Sequence, residues 1–172
     1  MLKAVGAALI LIGAAGVSGS INRRIKQHYK QLIRLKELLI LTGNELQYLK
    51  APLPLALKRI STRLEEPFGS TYRKISEALS SYEEASPCKV WQEILKDARE
   101  AYLLSEEEFQ IFLDAGAVIE QGNGYMQGEE VKLYAEQVNF RIVHAREELE
   151  TKQRLCRYLC GAGGLFLILI LV

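Results

Sequence analysis

Apolar residues recur with helical spacing through the middle of the chain. Ile25, Leu32, Leu39 and Leu46 follow one another every seven residues, which predicts a long amphipathic helix that stops at Ala51. The same spacing would suit a coiled coil, but polar residues occupy the companion positions. We therefore interpret this stripe as one face of a helical bundle.

Prolines and hydroxyl residues mark where the following helices begin. Pro54 suits the first turn of a second helix, Ser86 and Pro87 open a fourth, and Ser105 with Glu108 forms a capping box for a fifth. The apolar positions expected inside the bundle are Leu53, Leu57, Ile60 and Leu64 in the second helix, Phe68, Tyr72, Ile75 and Leu79 in the third, Trp91, Ile94, Leu95, Ala98 and Tyr102 in the fourth, and Phe109, Phe112, Leu113, Gly116 and Ile119 in the fifth.

A last long helix is predicted from Glu129, with Val131, Tyr134 and Val138 at steps of three and four residues. The glycine-rich stretch 121–128 before it is predicted as a loop, and it lacks the lysine, serine and preceding strand of a phosphate-binding loop. No segment alternates between apolar and polar residues for long enough to predict a strand. The fold class is therefore all-α, an antiparallel helical bundle of about six helices.

Uncharged apolar segments lie at both ends of the chain. At ~1.5 Å per residue, the run from Ala4 to Ile21 approaches the ~30 Å of a hydrocarbon core, whereas the run 158–172 reaches only ~23 Å. We predict an N-terminal transmembrane segment over 1–21, a helical bundle domain over 22–157 and a C-terminal transmembrane segment over 158–172. The first and last helices would then extend into the membrane, and full crossing by the second segment is left open.

Basic residues flank both apolar segments on the side that faces the middle of the chain. Six cations lie between Asn22 and Lys36, before the first acid, and the second segment is also preceded by cations. Because cations are retained on the cytoplasmic side, the bundle is expected in the cytoplasm and both termini outside. The residues expected at the membrane surface, facing anionic lipid headgroups, are Arg23, Arg24, Lys26, Lys30 and Arg157.

The first apolar segment also fits a second interpretation. Small residues around Ala14, Ala15 and Gly16 suit a cleavable signal peptide. In that case the protein would be exported and held by a simple C-terminal membrane anchor. The cations that follow Ile21 favour the uncleaved span, because they are typical of the cytoplasmic flank of a membrane helix.

Composition does not predict catalysis. The 22 Lys and Arg residues balance 21 Asp and Glu residues, and the net charge of +1 gives no general attraction to nucleic acid. His28 and His144 have no carboxylate or cysteine companions at ligand spacing, and the three cysteines lack a zinc or disulfide spacing. We therefore predict no catalytic, metal or cofactor site and no small-molecule substrate. The protein is expected to act through its surfaces and not as an enzyme.

Several segments occur in an informative order. MLKAVGA opens the first apolar run, ELQYLKAPL closes the long basic helix, a Trp-led helix follows, and LCGAGGLFLILILV ends the chain. In this order and spacing the whole chain resembles the stage III sporulation protein AB family of endospore-forming bacteria. The most specific positions of the resemblance are Glu45, Tyr48, Pro52 and Leu53.

The resemblance implies a membrane component of the sporulation channel between mother cell and forespore. Its helical domain would look like the platform protein of type II secretion systems and would meet the secretion-type ATPase of the channel in the mother-cell cytoplasm, together with other channel membrane proteins. Glu45, Tyr48, Pro52 and Leu53 are then the expected partner-contact residues. The alternative for the same residues is a plain helix end, with Leu53 in the core and the prolines shaping the turn.

Overall fold

The computed structural model describes the backbone of residues 2–48, 52–81, 86–118 and 124–171. Within these ranges, side chains are described for 22–118 and 126–155, and also for residues Tyr158 and Gly163. These residues form helices and short connections without a strand. The helices are α1 (Leu2–Tyr48), α2 (Leu53–Ser61), α3 (Phe68–Ser81), α4 (Pro87–Asp97), a 3-10 turn (Arg99–Ala101), α5 (Glu106–Val118) and α6 (Gly124–Leu171). The predicted all-α fold class is confirmed.

The chain divides into two compact units. One comprises Met1–Tyr29 and Val143–Val172, and the other is Lys30–Ile142, which holds α2 to α5 complete. Among the described residues, no helix is both long and apolar enough to cross a membrane. The side chains of 1–21 and nearly all of 158–172, where we predicted transmembrane segments, lie outside that description. The predicted domain limits therefore stay predictions.

The helix starts follow from local sequence chemistry. Ser86 precedes α4 and its hydroxyl accepts the Lys89 N–H at 3.4 Å, with Pro87 in the first turn. Before α5, the Ser105 hydroxyl accepts the Glu108 N–H at 3.3 Å, and the Glu108 carboxylate accepts the Ser105 N–H at 2.7 Å. The predicted capping box is thus confirmed, because each residue satisfies the other's backbone donor.

The fourth helix is shorter than its apolar spacing predicts. It ends at Asp97, and Tyr102 lies in extended backbone after the 3-10 turn. The Arg99 guanidinium donates to the carbonyls of Tyr102 at 3.2 Å and Leu104 at 3.0 Å, which stabilises the change of direction. Tyr102 is nevertheless 3% exposed, so its burial was predicted correctly but not its place outside the helix.

Aromatic rings pack the centre of the Lys30–Ile142 unit. Trp91 meets Tyr72 and Phe112 edge-on, at centroid distances of 5.2 and 5.7 Å, and Phe68 lies 5.1 Å from Tyr102. Such tilted and edge-to-face contacts stabilise a core beyond the area they bury. The rings come from α3, α4, α5 and the segment after the 3-10 turn, so this aromatic cluster holds those elements together.

The polar atoms of these rings are paired inside the core. The Trp91 indole N–H donates to the Phe112 carbonyl at 3.0 Å, and the Tyr102 hydroxyl donates to Thr71 Oγ1 at 2.7 Å. The Tyr72 hydroxyl lies 3.0 Å from Thr42 Oγ1, and this bond ties α3 to α1. Each bond offsets the cost of burying a polar group, and together they fix how the rings are oriented.

Gly116 makes room for the indole of Trp91. A Cβ atom on Gly116 would lie 2.1 Å from Trp91 Cδ1, well inside van der Waals contact. The two helices can therefore pack this closely only because residue 116 has no side chain.

We expect Gly116→Ala to lower the free energy of unfolding by about 2–3 kcal/mol, because the added methyl must displace a fully packed indole. Urea unfolding of the full-length protein, followed by the fluorescence of its single tryptophan, measures the loss. Gln110→Ala, at an exposed position of the same helix, is the control and should change stability by less than about 0.5 kcal/mol. Equal stability of Gly116→Ala and the wild type would contradict the packing described here.

Two buried tyrosines make stability sensitive to high pH. Burial raises the pKa of Tyr72 well above its usual range, and burial likewise raises the pKa of Tyr102, in each case against a hydrogen bond to a threonine that lowers it. The folded state holds these protons more tightly than the unfolded chain does. Their contribution to stability is therefore complete below the ordinary tyrosine pKa of about 10 and is lost as pH rises above it.

We expect the free energy of unfolding to fall continuously as pH rises above about 10 towards the raised pKa values of these groups, and Tyr72→Phe or Tyr102→Phe to make this fall shallower because each removes one buried ionisable group. Unfolding curves at half-unit pH steps measure the slope. Tyr48→Phe, at an exposed ring, should keep the wild-type slope. The same slope in all four proteins would show that other groups cause the alkaline loss.

Candidate partner-binding site

Two glycines bring α1 and α6 into backbone contact within the Lys30–Ile142 unit. A Cβ on Gly43 would lie 2.8 Å from the Gly128 carbonyl oxygen, and a Cβ on Gly128 would lie 2.6 Å from the Gly43 carbonyl oxygen. Neither position tolerates a side chain without moving a helix. The prediction that 121–128 is entirely loop is therefore wrong from Gly124 on, because α6 already begins there and uses Gly128 as a helix contact.

A polar cluster next to this contact joins the end of α1 to the start of α6. The Lys132 ammonium donates to the Gln47 amide oxygen and to Glu129 Oε1 at 3.2 Å, and the Gln47 amide N–H donates to Glu129 Oε1 at 2.9 Å. Lys132 Nζ also lies 5.6 Å from the centroid of the Tyr48 ring, within range of a cation–π interaction. The lysine is thus held beside the tyrosine at the last turn of α1.

The four residues singled out by the resemblance lie where α1 ends and α2 begins. Glu45 and Tyr48 are in the last turn of α1, and Pro52 and Leu53 start α2, with 49–51 outside the described residues. Tyr48 is 70% exposed and Pro52 is exposed, whereas Leu53 is half-buried. The Pro52 carbonyl accepts the N–H groups of Leu55 and Ala56, at 3.0 and 3.1 Å, and so caps α2. We name these four residues the α1–α2 corner.

The Glu45 carboxylate is the chemically unusual group of the corner. Glu45 is 8% exposed, and its Oε2 atom is buried without a hydrogen-bond partner among the described residues. A buried polar atom without a partner costs stability, and such atoms are rare in folded proteins. One turn earlier, the Thr42 hydroxyl donates to the Leu38 carbonyl at 2.8 Å and lies 3.0 Å from the Tyr72 hydroxyl. This buried polar group of α1 is therefore hydrogen-bonded, unlike the Oε2 atom of Glu45. Packing therefore explains Thr42 but gives no reason for a carboxylate at position 45.

The structure describes the side chains of four of the five cations that we predicted at the membrane surface. Arg23, Arg24 and Lys26 are exposed, and within the described part of the chain none of them reaches a carboxylate. Lys30 is exposed in the other unit, and the Arg157 side chain lies outside the description.

Cations on the last helix behave differently. Arg146 Nε is 3.1 Å from Glu150 and Lys152 Nζ is 2.5 Å from Glu148, and both pairs follow helical i,i+4 spacing. The charges of these two residues are largely balanced within α6. The positive charges of Arg23, Arg24 and Lys26 on α1 are therefore less balanced by nearby carboxylates than those of Arg146 and Lys152 on α6.

A groove of about 380 Å³ lies between α2 and α3 in the Lys30–Ile142 unit, with Lys58 and Arg73 among its lining residues. Its hydroxyls are engaged by the backbone, for example Ser61 with the Lys58 carbonyl and Ser76 with the Pro54 carbonyl, at 2.8 and 2.6 Å. Among the residues with described side chains, no group of three or more His, Cys, Asp or Glu is placed to hold a metal ion.

Sequence reasoning missed the residues that support the corner from α6. Gln47, Glu129 and Lys132 are polar residues of ordinary helical faces, and nothing in their spacing links positions more than 80 residues apart. Gly43 and Gly128 offered a weak signal, since glycine within a helix often marks close helix packing. Without the tertiary pairing of α1 with α6, neither glycine could be assigned a partner.

The described helices define an all-α helical bundle. The family model for stage III sporulation protein AB matches residues 3–172, so this chain belongs to that family. A solved structure of "Stage III sporulation protein AB (SpoIIIAB)" has the same fold, with a TM-score of 0.66 and 19% identity, over 72% of this chain and 97% of the solved one. Among curated proteins, no significant match is found.

We expect Glu45→Met to leave the free energy of unfolding unchanged or to raise it by about 1–2 kcal/mol, because it replaces a carboxylate whose buried Oε2 atom has no partner among the described residues by an apolar side chain of similar size. Glu108→Met is the matched control. Glu108 is 6% exposed, and its loss should cost about 1 kcal/mol because it removes the bond to the Ser105 N–H. Urea unfolding compares the two variants, and an equal loss in both would mean that Glu45 stabilises the fold.

Proposed function

We propose that this protein is a membrane-anchored platform of the sporulation channel between mother cell and forespore, and that its helical domain docks the secretion-type ATPase of that channel. Family membership supports a role in sporulation. The ATPase follows from the resemblance described above. In this proposal the protein works by binding and positioning and not by catalysis.

The observation that carries the proposal is the α1–α2 corner. Glu45 is buried with its Oε2 atom unpaired among the described residues, and the exposed Tyr48 follows three residues later on α1. Such burial costs stability. Proteins commonly keep such a cost where function requires it. Because the Oε2 atom of Glu45 is buried, a donor from a docked partner would pair with it only by displacing the groups that cover it. The exposed Tyr48 ring would supply the aromatic anchor that is frequent at binding hot spots.

The proposed placement puts the bundle in the mother-cell cytoplasm with both termini outside. It rests on the two apolar ends and on the basic residues that flank them towards the middle of the chain. Arg23, Arg24 and Lys26, exposed and without a carboxylate partner among the described residues, would contact anionic lipid headgroups. The platform would then be held by its ends and present the corner to a cytoplasmic partner.

The test measures binding of the purified channel ATPase to the full-length protein in lipid nanodiscs. We expect Tyr48→Ala to weaken binding by more than about tenfold, which corresponds to loss of a hot-spot side chain. Glu45→Met should weaken binding while stability is kept, so that the two properties separate.

Lys74→Ala, at an exposed position of α3, is the matched control and should bind like the wild type. Circular dichroism confirms that every variant is folded. If the folded wild type does not bind the ATPase, or if both corner variants bind like the control, the docking proposal is wrong.

A further inference from the structure

Two cations line the groove between α2 and α3, one from each helix. They are Lys58 of α2 and Arg73 of α3, and both side chains are exposed. The volume of the groove, about 380 Å³, is in the range of pockets that hold ligands. We name Lys58 and Arg73 the groove cations.

Two contacts, one near each end of α2, fix the register of α2 against α3. The Ser76 hydroxyl donates to the Pro54 carbonyl at 2.6 Å, and a Cβ on Gly69 would lie 3.1 Å from the Ser61 carbonyl oxygen. Seven residues separate these contacts on each helix, in opposite directions along the chain. The two helices are therefore antiparallel and in step, because both rise by about 1.5 Å per residue.

This register places the groove cations at the same level, one on each side of the groove. Counted from the contact between Pro54 and Ser76, Lys58 lies level with Tyr72, which directly precedes Arg73. Two like charges on neighbouring helices repel each other. An anionic group bound between them replaces that repulsion by two attractive contacts.

Among the described residues, no carboxylate forms an ion pair with either groove cation. Residues 53–81 hold five cations and three acids. Of these acids, Glu65 pairs with Arg34 of α1 at 2.6 Å, and Glu66 accepts a backbone N–H of α3 at 3.2 Å. Glu77 is the third, and it lines the groove without an ion pair in the described part of the chain. The lining of the groove thus keeps a net positive charge.

Glu77 gives the groove a direction. It lies four residues after Arg73 on α3, which is about one helical turn. It repels a second acid at that end of the groove and can accept an N–H group there. A ligand with one centre of negative charge therefore fits the groove better than a polyanion that is acidic along its whole length.

Two hydroxyls of the groove are available as acceptors. The Ser61 hydroxyl donates to the Lys58 carbonyl at 2.8 Å. The Ser80 hydroxyl donates to the Ser76 carbonyl, also at 2.8 Å. A hydroxyl has one proton and two lone pairs, so each oxygen can still accept a bond from a ligand N–H. Peptide backbones supply such N–H groups next to acidic side chains, whereas a phosphate ion offers mainly acceptors.

We propose that the α2–α3 groove binds a short acidic peptide segment of another protein, with its carboxylates between Lys58 and Arg73. The Arg73 guanidinium holds a carboxylate through two parallel hydrogen bonds, and the Lys58 ammonium adds a point charge. Backbone N–H groups of the segment donate to the Ser61 and Ser80 hydroxyls. None of these residues belongs to the α1–α2 corner, so the inference does not depend on ATPase docking there.

The test measures binding of fluorescent synthetic peptides to the full-length protein in nanodiscs of zwitterionic phosphatidylcholine. One peptide carries adjacent glutamates at its centre between neutral residues, and the other carries glutamines in their place. We expect the glutamate peptide to bind at least about tenfold more tightly and to bind more weakly as salt is raised. The double variant Lys58→Gln/Arg73→Gln should remove the preference between the two peptides.

The double variant Arg59→Gln/Lys74→Gln is the matched control. It removes the same charge from exposed positions of the same two helices, and neither residue lines the groove. It should bind the glutamate peptide within about twofold of the wild type, because isolated surface charges contribute little. Tryptophan fluorescence confirms that both variants are folded. Equal losses in the two double variants, or equal binding of the two peptides by the wild type, would overturn the proposal.

Three further measurements distinguish other occupants of the groove. Inorganic phosphate at the concentration of the peptide should leave the peptide bound, and nanodiscs that contain anionic phosphatidylglycerol should give the same peptide affinity. In analytical ultracentrifugation both double variants should keep the oligomeric state of the wild type. Displacement by phosphate would assign the groove to a free anion, and loss of peptide binding on anionic lipid would assign it to a membrane. A changed oligomeric state in the groove variant alone would assign it to a second copy, and each of these results would overturn the inference.

Discussion

The packing of Trp91 is the constraint on which the described helical unit depends. Its indole meets Tyr72 of α3 and Phe112 of α5, and it donates its N–H to the Phe112 carbonyl. Gly116 leaves the space that the ring occupies. Two edge-to-face contacts, one hydrogen bond and the space beside Gly116 together fix the position and orientation of the indole. The short helices on either side of it are ordered by that position, because none is long enough to be stable alone.

The first and last helices are joined to this core by a different kind of contact. The Tyr72 hydroxyl reaches Thr42 on α1, and Gly43 lets α1 approach Gly128 of α6 at backbone distance. The Gln47, Glu129 and Lys132 cluster then holds the end of α1 in place. The corner that carries Glu45 and Tyr48 is therefore supported from two sides, as the docking proposed there would require. The corner combines one exposed aromatic ring with a buried carboxylate oxygen, Oε2 of Glu45, that has no hydrogen-bond partner among the described residues.

The sequence by itself determined the all-α class, most helix starts and most of the core, because helical periodicity, prolines and capping boxes act over a few residues. It predicted the burial of Phe68, Tyr72, Trp91 and Phe112, and the capping of α5 by Ser105 and Glu108. The resemblance carried by ELQYLKAPL identified the corner. What only the tertiary structure decided was long-range: that Tyr102 leaves the fourth helix, that Gly128 is a helix contact, and that Lys132 lies beside Tyr48. It also decided that Glu45 is buried without a partner in the described residues while Leu133 is exposed. Both residues stand in helices with apolar neighbours, and which side of a helix is covered depends on the partners that pack against it, which local spacing does not specify.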